Sequence, residues 1–210
     1  MSYTVYNRLG SGGFAVEAAL TFADAPHQME FLDSKPSTPL PDSYRQINPW
    51  GQVPALITPD GTLVTETGAI LIWLAGRHRS LGPEPWTDDH ATFVRWIVFM
   101  STALYEGVLR QTYPNRYTAA SDGAGDVTAA AAARNHEAFG LLEDHLKGRE
   151  VLVGDGLSAA DIYLAMLTVW HRRKTELPNC VALARRVAGH PAIAPVWEKN
   201  FAHKRDKIWS

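Results

Sequence analysis

The sequence predicts a small mixed α/β unit in the order β-α-β-α-β-β-α, followed by an all-helical part. Three observations carry this. Short β-type runs alternate with helically spaced apolar residues over the first 76 positions. A Pro59-Asp60-Gly61 turn joins two β-prone runs. Strand signals then almost vanish beyond Arg77–Asp89, a linker-like stretch carrying two prolines and a glycine.

Tyr3–Asn7 reads as the first strand, broken by the glycine-rich Gly10–Gly13. Val16, Ala19, Leu20 and Ala23 have helical spacing and place a helix over Phe14–Ala23. Gln28–Leu32 is a second strand, and the polar, proline-rich Asp33–Asp42 follows it. Ser43–Ile47 fits a helical turn or two, stopped by Asn48-Pro49. Val53–Thr58 and Thr62–Thr65 make a hairpin, because proline followed by Asp-Gly is turn chemistry. Ala69–Ala75 returns to helix, with Gly76 in C-cap position.

Beyond the linker, His90–Gln111 spaces Phe93, Trp96, Ile97, Met100, Leu104 and Val108 three or four apart, as one long helix does. Val127–Lys147, Ala159–Arg173, Cys180–Ala188 and Ala192–Phe201 are the further helices. Ser158 and Asp161 form a capping-box pair before Ala159–Arg173, with Leu157 and Ile162 in the staple positions. Loss of such a cap costs about 1 kcal/mol. The basic run His171–Lys174 suits the dipole at a helix C-terminus, and Lys204–Lys207 reads as solvated chain. The resulting division is 1–78, a linker over 79–88, and 89–210.

Composition narrows the function. The 210 residues hold 20 Lys+Arg against 22 Asp+Glu, a formal charge of −2, which offers no field to a phosphate backbone and argues against nucleic acid. The apolar run Ala69–Ala75 is far short of the roughly 20 residues that span a bilayer. The N-terminus lacks a basic start followed by an apolar core, so a reduced, cytoplasmic protein without a membrane role is expected. The single cysteine, Cys180, excludes an internal disulfide, a CxxC pair and a zinc cluster. Eight scattered histidines show no ligand spacing, so no metal is expected.

Three segments resemble the cytosolic glutathione S-transferase family, in a form like its bacterial members, over essentially the whole chain. They are Asn48–Leu56 (NPWGQVPAL) with Leu63–Leu74 (LVTETGAILIWL), Gly154–Leu164 (GDGLSAADIYL), and Gly10–Leu20 (GSGGFAVEAAL). The resemblance implies a thioredoxin-like N-terminal domain, a helical C-terminal domain and a cis Val53-Pro54 bond. It implies glutathione as co-substrate, its cysteinyl unit paired along Val53 and Pro54 like an added strand. Glu66 and Thr67 would take the γ-glutamyl ammonium and carboxylate at a helix N-terminus, with Gln52 as a further polar contact. Alone, Thr-Glu-Thr before an apolar helix reads as ordinary N-capping; beside the VPAL segment and the hairpin it reads as a ligand site.

A glutathione thiol has a pKa near 8.5 and needs its thiolate stabilised. The family uses a tyrosine, serine or cysteine at the end of the first strand or the start of the first helix, and here no cysteine is near. Ser11 is the expected catalytic hydroxyl and Tyr6 the alternative; an alignment that puts the position on Gly12 leaves backbone N–H groups alone. Phe14, Trp50, Tyr105 and Tyr113 are expected at an acceptor pocket for a small hydrophobic electrophile. Trp96, with Phe93 and Met100, reads as packing. The resemblance also implies a homodimer and a detoxifying transferase. The alternatives are a non-catalytic ligand-binding or interaction protein, or a glutathione-dependent lyase, dehalogenase or isomerase.

Overall fold

A computed structural model describes residues 2–32, 40–202 and 208–209; most of the proline-rich 33–42 stretch and the Lys204–Lys207 segment lie outside them. β1 (Tyr3–Asn7), α1 (Gly13–Phe22) and β2 (His27–Phe31) form a βαβ unit, with β1 and β2 parallel from Tyr3 opposite His27 to Asn7 opposite Phe31. After α2 (Asp42–Ile47), β3 (Ala55–Ile57) joins β1 antiparallel, and β4 (Leu63–Thr65) joins β3. The sheet order is therefore β2-β1-β3-β4. The hairpin turn holds Gly61 at φ +86, a conformation that side chains disfavour, while the Thr62 N–H donates to Thr58 Oγ1 at 2.9 Å. α3 (Thr67–Ala75) follows; Gly76 does end it, but at φ −69, so glycine's left-handed freedom is not what stops this helix.

Strand alternation sorts β1 onto two faces. Tyr3 and Val5 turn inward with Leu56 against α1 and α3, whereas Tyr6 turns to the other face, its ring centroid 5.7 Å from that of Tyr44 on α2. This face choice bears directly on the site.

The helical part comprises α4 (Asp88–Phe99), α5 (Glu106–Thr112), α6 (Ala124–His145), α7 (Ala159–Trp170), α8 (Pro178–Gly189) and α9 (Ala194–Phe201). The long helix expected over His90–Gln111 is in fact α4 and α5, joined by a π-helical turn over Met100–Tyr105. One wider turn leaves the apolar spacing nearly unchanged, so periodicity does not reveal it. The Thr87 hydroxyl accepts the His90 N–H at 3.1 Å and starts α4 two residues earlier than expected.

α7 is buried from Ala159 to Val169 and packs against α1, α3, α4 and α8. Its capping box is present: the fully buried Asp161 carboxylate accepts the Leu152 N–H at 2.8 Å, the Ser158 N–H at 2.8 Å and the Ser158 hydroxyl at 2.7 Å. α1 packs in turn against α3, α7 and α9, so one continuous apolar core runs through the α/β and helical parts. Phe14 on α1 meets Trp197 and Phe201 on α9 at ring-centroid distances of 5.4 and 4.8 Å. Burying a ring of this size is worth roughly 2–3 kcal/mol. No helix among the described residues is long and apolar enough to cross a membrane.

Candidate functional site

A cavity of about 290 Å³ lies between the β3–β4–α3 edge of the α/β part and the α4–α5 run. Gln52, Val53, Pro54, Glu66 and Thr67 line one wall, so the structure brings together all five residues expected to hold glutathione. Ile97, Ser101, Tyr105 and Leu109 line the other wall, and Tyr163 of α7 contributes as well.

The first wall is held from behind. The Gln52 carbonyl accepts the Tyr44 hydroxyl and the Asn48 amide, each at 2.7 Å, and the Val53-Pro54 bond that follows is cis. Val53 precedes β3 and stands outside the sheet ladder. Glu66 has φ +66 and ψ 118, an uncommon backbone for a non-glycine residue that costs roughly 1–3 kcal/mol. It occupies the N-cap of α3, yet no side chain caps this helix. Ordinary N-capping is therefore not the use of the Thr-Glu-Thr segment. The Glu66 carboxylate and Thr67 hydroxyl have no hydrogen-bond or ion-pair partner among the described residues, and the first N–H groups of α3 face the same cavity end.

The second wall is a cluster of hydroxyls. Ser101 donates to the Ile97 carbonyl at 2.9 Å and stands 3.2 Å from the Tyr163 hydroxyl. α3 approaches this wall so closely that a Cβ on Gly68 would collide with Ser101 Oγ. The Tyr105 ring is partly exposed, with Trp170 edge-on at 5.5 Å and Tyr163 at 6.4 Å. Its hydroxyl is enclosed; burial, then the charge of Glu66 and the neighbouring Tyr113, push its pKa well above the usual value.

The start of α1 differs from the sequence expectation. The Ser11 hydroxyl donates to Oδ1 of the fully buried Asn7 at 2.7 Å, and Ser11 does not line the cavity. Tyr6 is on the α2 face of the sheet, away from α1 and likewise off the cavity wall. Gly12 is the N-cap of α1, and Gly13 has no room for a side chain because the Asn7 amide fills that space. An ideal Cβ built on Gly12 would stand 2.6 Å from Tyr105 Oη and 2.7 Å from Thr67 Oγ1.

Of the four aromatic residues expected at the acceptor pocket, only Tyr105 lines the cavity. Phe14 is wholly buried because α1 is enclosed on every side by the sheet, α3, α7 and α9. Trp50 is 70% exposed on the turn before Gly51. Tyr113 ends α5 under the Arg116 guanidinium, 4.2 Å from its ring. The apolar lining comes instead from Ile72, Ile97, Val98 and Leu109. Ser101 and Tyr163 had no signal beyond lying on apolar helices, and only the tertiary fold aims their hydroxyls inward.

Known proteins match this arrangement. The family profile described as "Glutathione S-transferase, N-terminal domain" matches residues 14–77, and "Glutathione S-transferase, C-terminal domain" matches residues 103–203. The chain is 32% identical over 171 residues to the Glutathione S-transferase-like protein FUS3 of Gibberella fujikuroi, covering 75% of this chain and 79% of that protein. It is 30% identical over 144 residues to Glutathione S-transferase AN1595 of Emericella nidulans, covering 67% of this chain but only 52% of that protein. A sphingomonad glutathione S-transferase solved in complex with glutathione superposes with a TM-score of 0.79 at 25% identity, over 93% of this chain and 97% of that one. The chain belongs to the glutathione S-transferase family.

Proposed function

We propose that this protein binds glutathione in the cavity and transfers its thiolate to a small hydrophobic electrophile. The observation that carries this reading is the convergence of Val53, outside the sheet ladder, with the uncapped α3 N-terminus and the unpartnered Glu66 and Thr67 on one cavity wall. A γ-glutamyl carboxylate suits the α3 N–H groups and the Thr67 hydroxyl, its ammonium suits Glu66, and a cysteinyl backbone can pair along Val53. Complex formation by the sphingomonad relative supports the same assignment.

In the reaction the glutathione thiol loses its proton to solvent. The sulfur lone pair forms a C–S bond to the electrophilic carbon, and the leaving group departs with its bonding electrons, as chloride does from chlorodinitrobenzene. The protein contributes proximity and stabilisation of the thiolate, while Ile72, Ile97, Val98 and Leu109 offer an apolar seat for the acceptor. In this reading residues 1–78 hold glutathione, 79–88 link, and 89–210 supply the acceptor wall of a cytoplasmic homodimer; light scattering that returns a monomer mass counts against the dimer.

Calorimetric titration with glutathione and conjugation of chlorodinitrobenzene test the proposal. Thr67→Val and Glu66→Gln are expected to weaken glutathione binding by about tenfold each, the size of a lost charge-assisted hydrogen bond. Absence of glutathione binding to the unaltered protein refutes the reading. Binding without conjugation of any activated electrophile refutes the transferase step alone.

A further inference from the structure

The start of α1 presents no side chain of its own to a ligand. Gly12 caps it, Ser11 gives its proton to Asn7, and Tyr6 lies across the sheet. The volume that a side chain at Gly12 would fill is instead occupied by two hydroxyls, that of Thr67 from the first wall and that of Tyr105 from the second. Contact rather than conformation keeps this position small, since Gly12 has φ −56 and ψ −21, angles open to any residue. Tyr105 Oη, on the cavity wall, thus stands directly against the start of α1. A protonated phenol has its own proton to give.

We propose that Tyr105 is the catalytic hydroxyl of this site: it stands against the positive end of α1 at Gly12, and the Tyr105 O–H donates to the thiolate. The inference rests on the glutathione reading above and gives Tyr105 the task that sequence divided between Ser11 and Tyr6. The same burial that raises the phenol's pKa keeps it protonated at neutral pH, so it serves as donor and never as base. The π turn that ends at Tyr105, together with Trp170 and Tyr163 against its ring, fixes the direction of that hydroxyl.

The test is the apparent pKa of glutathione's thiol in the complex, read from thiolate absorbance across the pH range. In the unaltered protein it is expected below the free value near 8.5. Tyr105→Phe should raise it by one pH unit or more and lower kcat/KM for chlorodinitrobenzene at neutral pH by about tenfold to a hundredfold, as loss of a preorganised donor does. The glutathione Kd should stay within about threefold, because Val53, Glu66 and Thr67 supply the binding. Gly12→Ala, which displaces the Tyr105 hydroxyl without removing it, should raise the thiol pKa in the same direction and carries the test if Tyr105→Phe does not fold. An unchanged thiol pKa in either folded variant, with glutathione still bound, overturns the role of Tyr105 and leaves the binding site standing. A rise on Ser11→Ala with none on Tyr105→Phe overturns it equally. Failure of the unaltered protein to bind glutathione overturns the site reading and this inference with it.

Discussion

His171 sets a steep acid limit on this fold. It follows the last residue of α7 and is 5% exposed, with the Phe139 ring tilted against it at a centroid distance of 4.3 Å. Its partners define its protonation. Asn135 donates its amide to the Leu104 carbonyl at 2.8 Å, so Asn135 Oδ1 is the acceptor for His171 Nδ1–H at 3.1 Å. His171 Nε2 must then accept from His136 Nδ1 at 3.2 Å, and His136 Nε2 faces Glu176 at 3.6 Å. A second proton on His171 would set two N–H groups against each other. Burial above all, then His136, Arg173 and Lys174, lower its pKa to about 4 from the usual 6.5, and Glu176 only partly opposes them. Between pH 6.5 and about 4 the unfolded chain binds a proton here that the folded chain does not, so stability falls as the pH falls through that window. At about 1.36 kcal/mol per unit the full effect is roughly 3 kcal/mol, of which about 2.5 is lost between pH 7.5 and 4.5. Urea denaturation followed by tryptophan fluorescence measures it. The unaltered protein should lose about 2.5 kcal/mol more over that interval than His171→Gln, which has no proton to gain. Equal losses in the two proteins refute the reasoning.

Three further outcomes follow from buried groups. Asp161→Ala strands the N–H groups of Leu152 and Ser158 inside the helical part and should cost about 3 kcal/mol in urea denaturation, with Asp161→Asn intermediate. Lys199→Met leaves the Glu17 carboxylate, 4% exposed and 2.5 Å from Lys199 Nζ, without its cation; the expected loss of about 2–3 kcal/mol should shrink when Glu17→Gln is added. The Cys180 thiol is buried, and its desolvation, reinforced by the adjacent Glu143 carboxylate, pushes its pKa up. Iodoacetamide should therefore leave the native protein unmodified at pH 8 and label one site per chain in denaturant, as mass spectrometry will show.

What the sequence disclosed was what local chemistry decides. The Pro59-Asp60-Gly61 turn, the Ser158–Asp161 cap and the strand–helix order all depend on residues a few positions apart, and each stands where spacing put it. The wall expected to hold glutathione comes together because Gln52 to Thr67 form a single hairpin-and-helix segment whose parts meet by chain connectivity. The opposite wall was not. Tyr105 reaches Gly12 across 93 positions, and a π turn that leaves the apolar period almost intact aims it. Ser11 stands beside the helix start as expected but off the cavity wall, its hydroxyl turned to Asn7, a buried strand-end residue that local spacing does not point to. Phe14 likewise looked like a pocket residue only while α9 was out of view, since Trp197 and Phe201 are what enclose it.

One contact ties the site to the history of the chain's synthesis. The Gly10 N–H, at φ +69 in the turn before α1, donates to Asn200 Oδ1 at 3.0 Å. Asn200 is anchored by its own amide to the Val196 carbonyl at 2.9 Å, and α9 bears on Phe14 from the same side. A nascent chain can pair β1 with β2 and form the 59–61 hairpin while most of the helical part is still in the ribosome, but until residue 200 has emerged the turn that carries Ser11 and Gly12 has only local bonds such as that of Ser11 to Asn7. At about 5–20 residues per second that interval is of order ten seconds or more, during which the α/β part lacks the Asn200 contact. Such long-range closure slows folding, because a contact spanning 190 positions must wait for the chain between to be ordered.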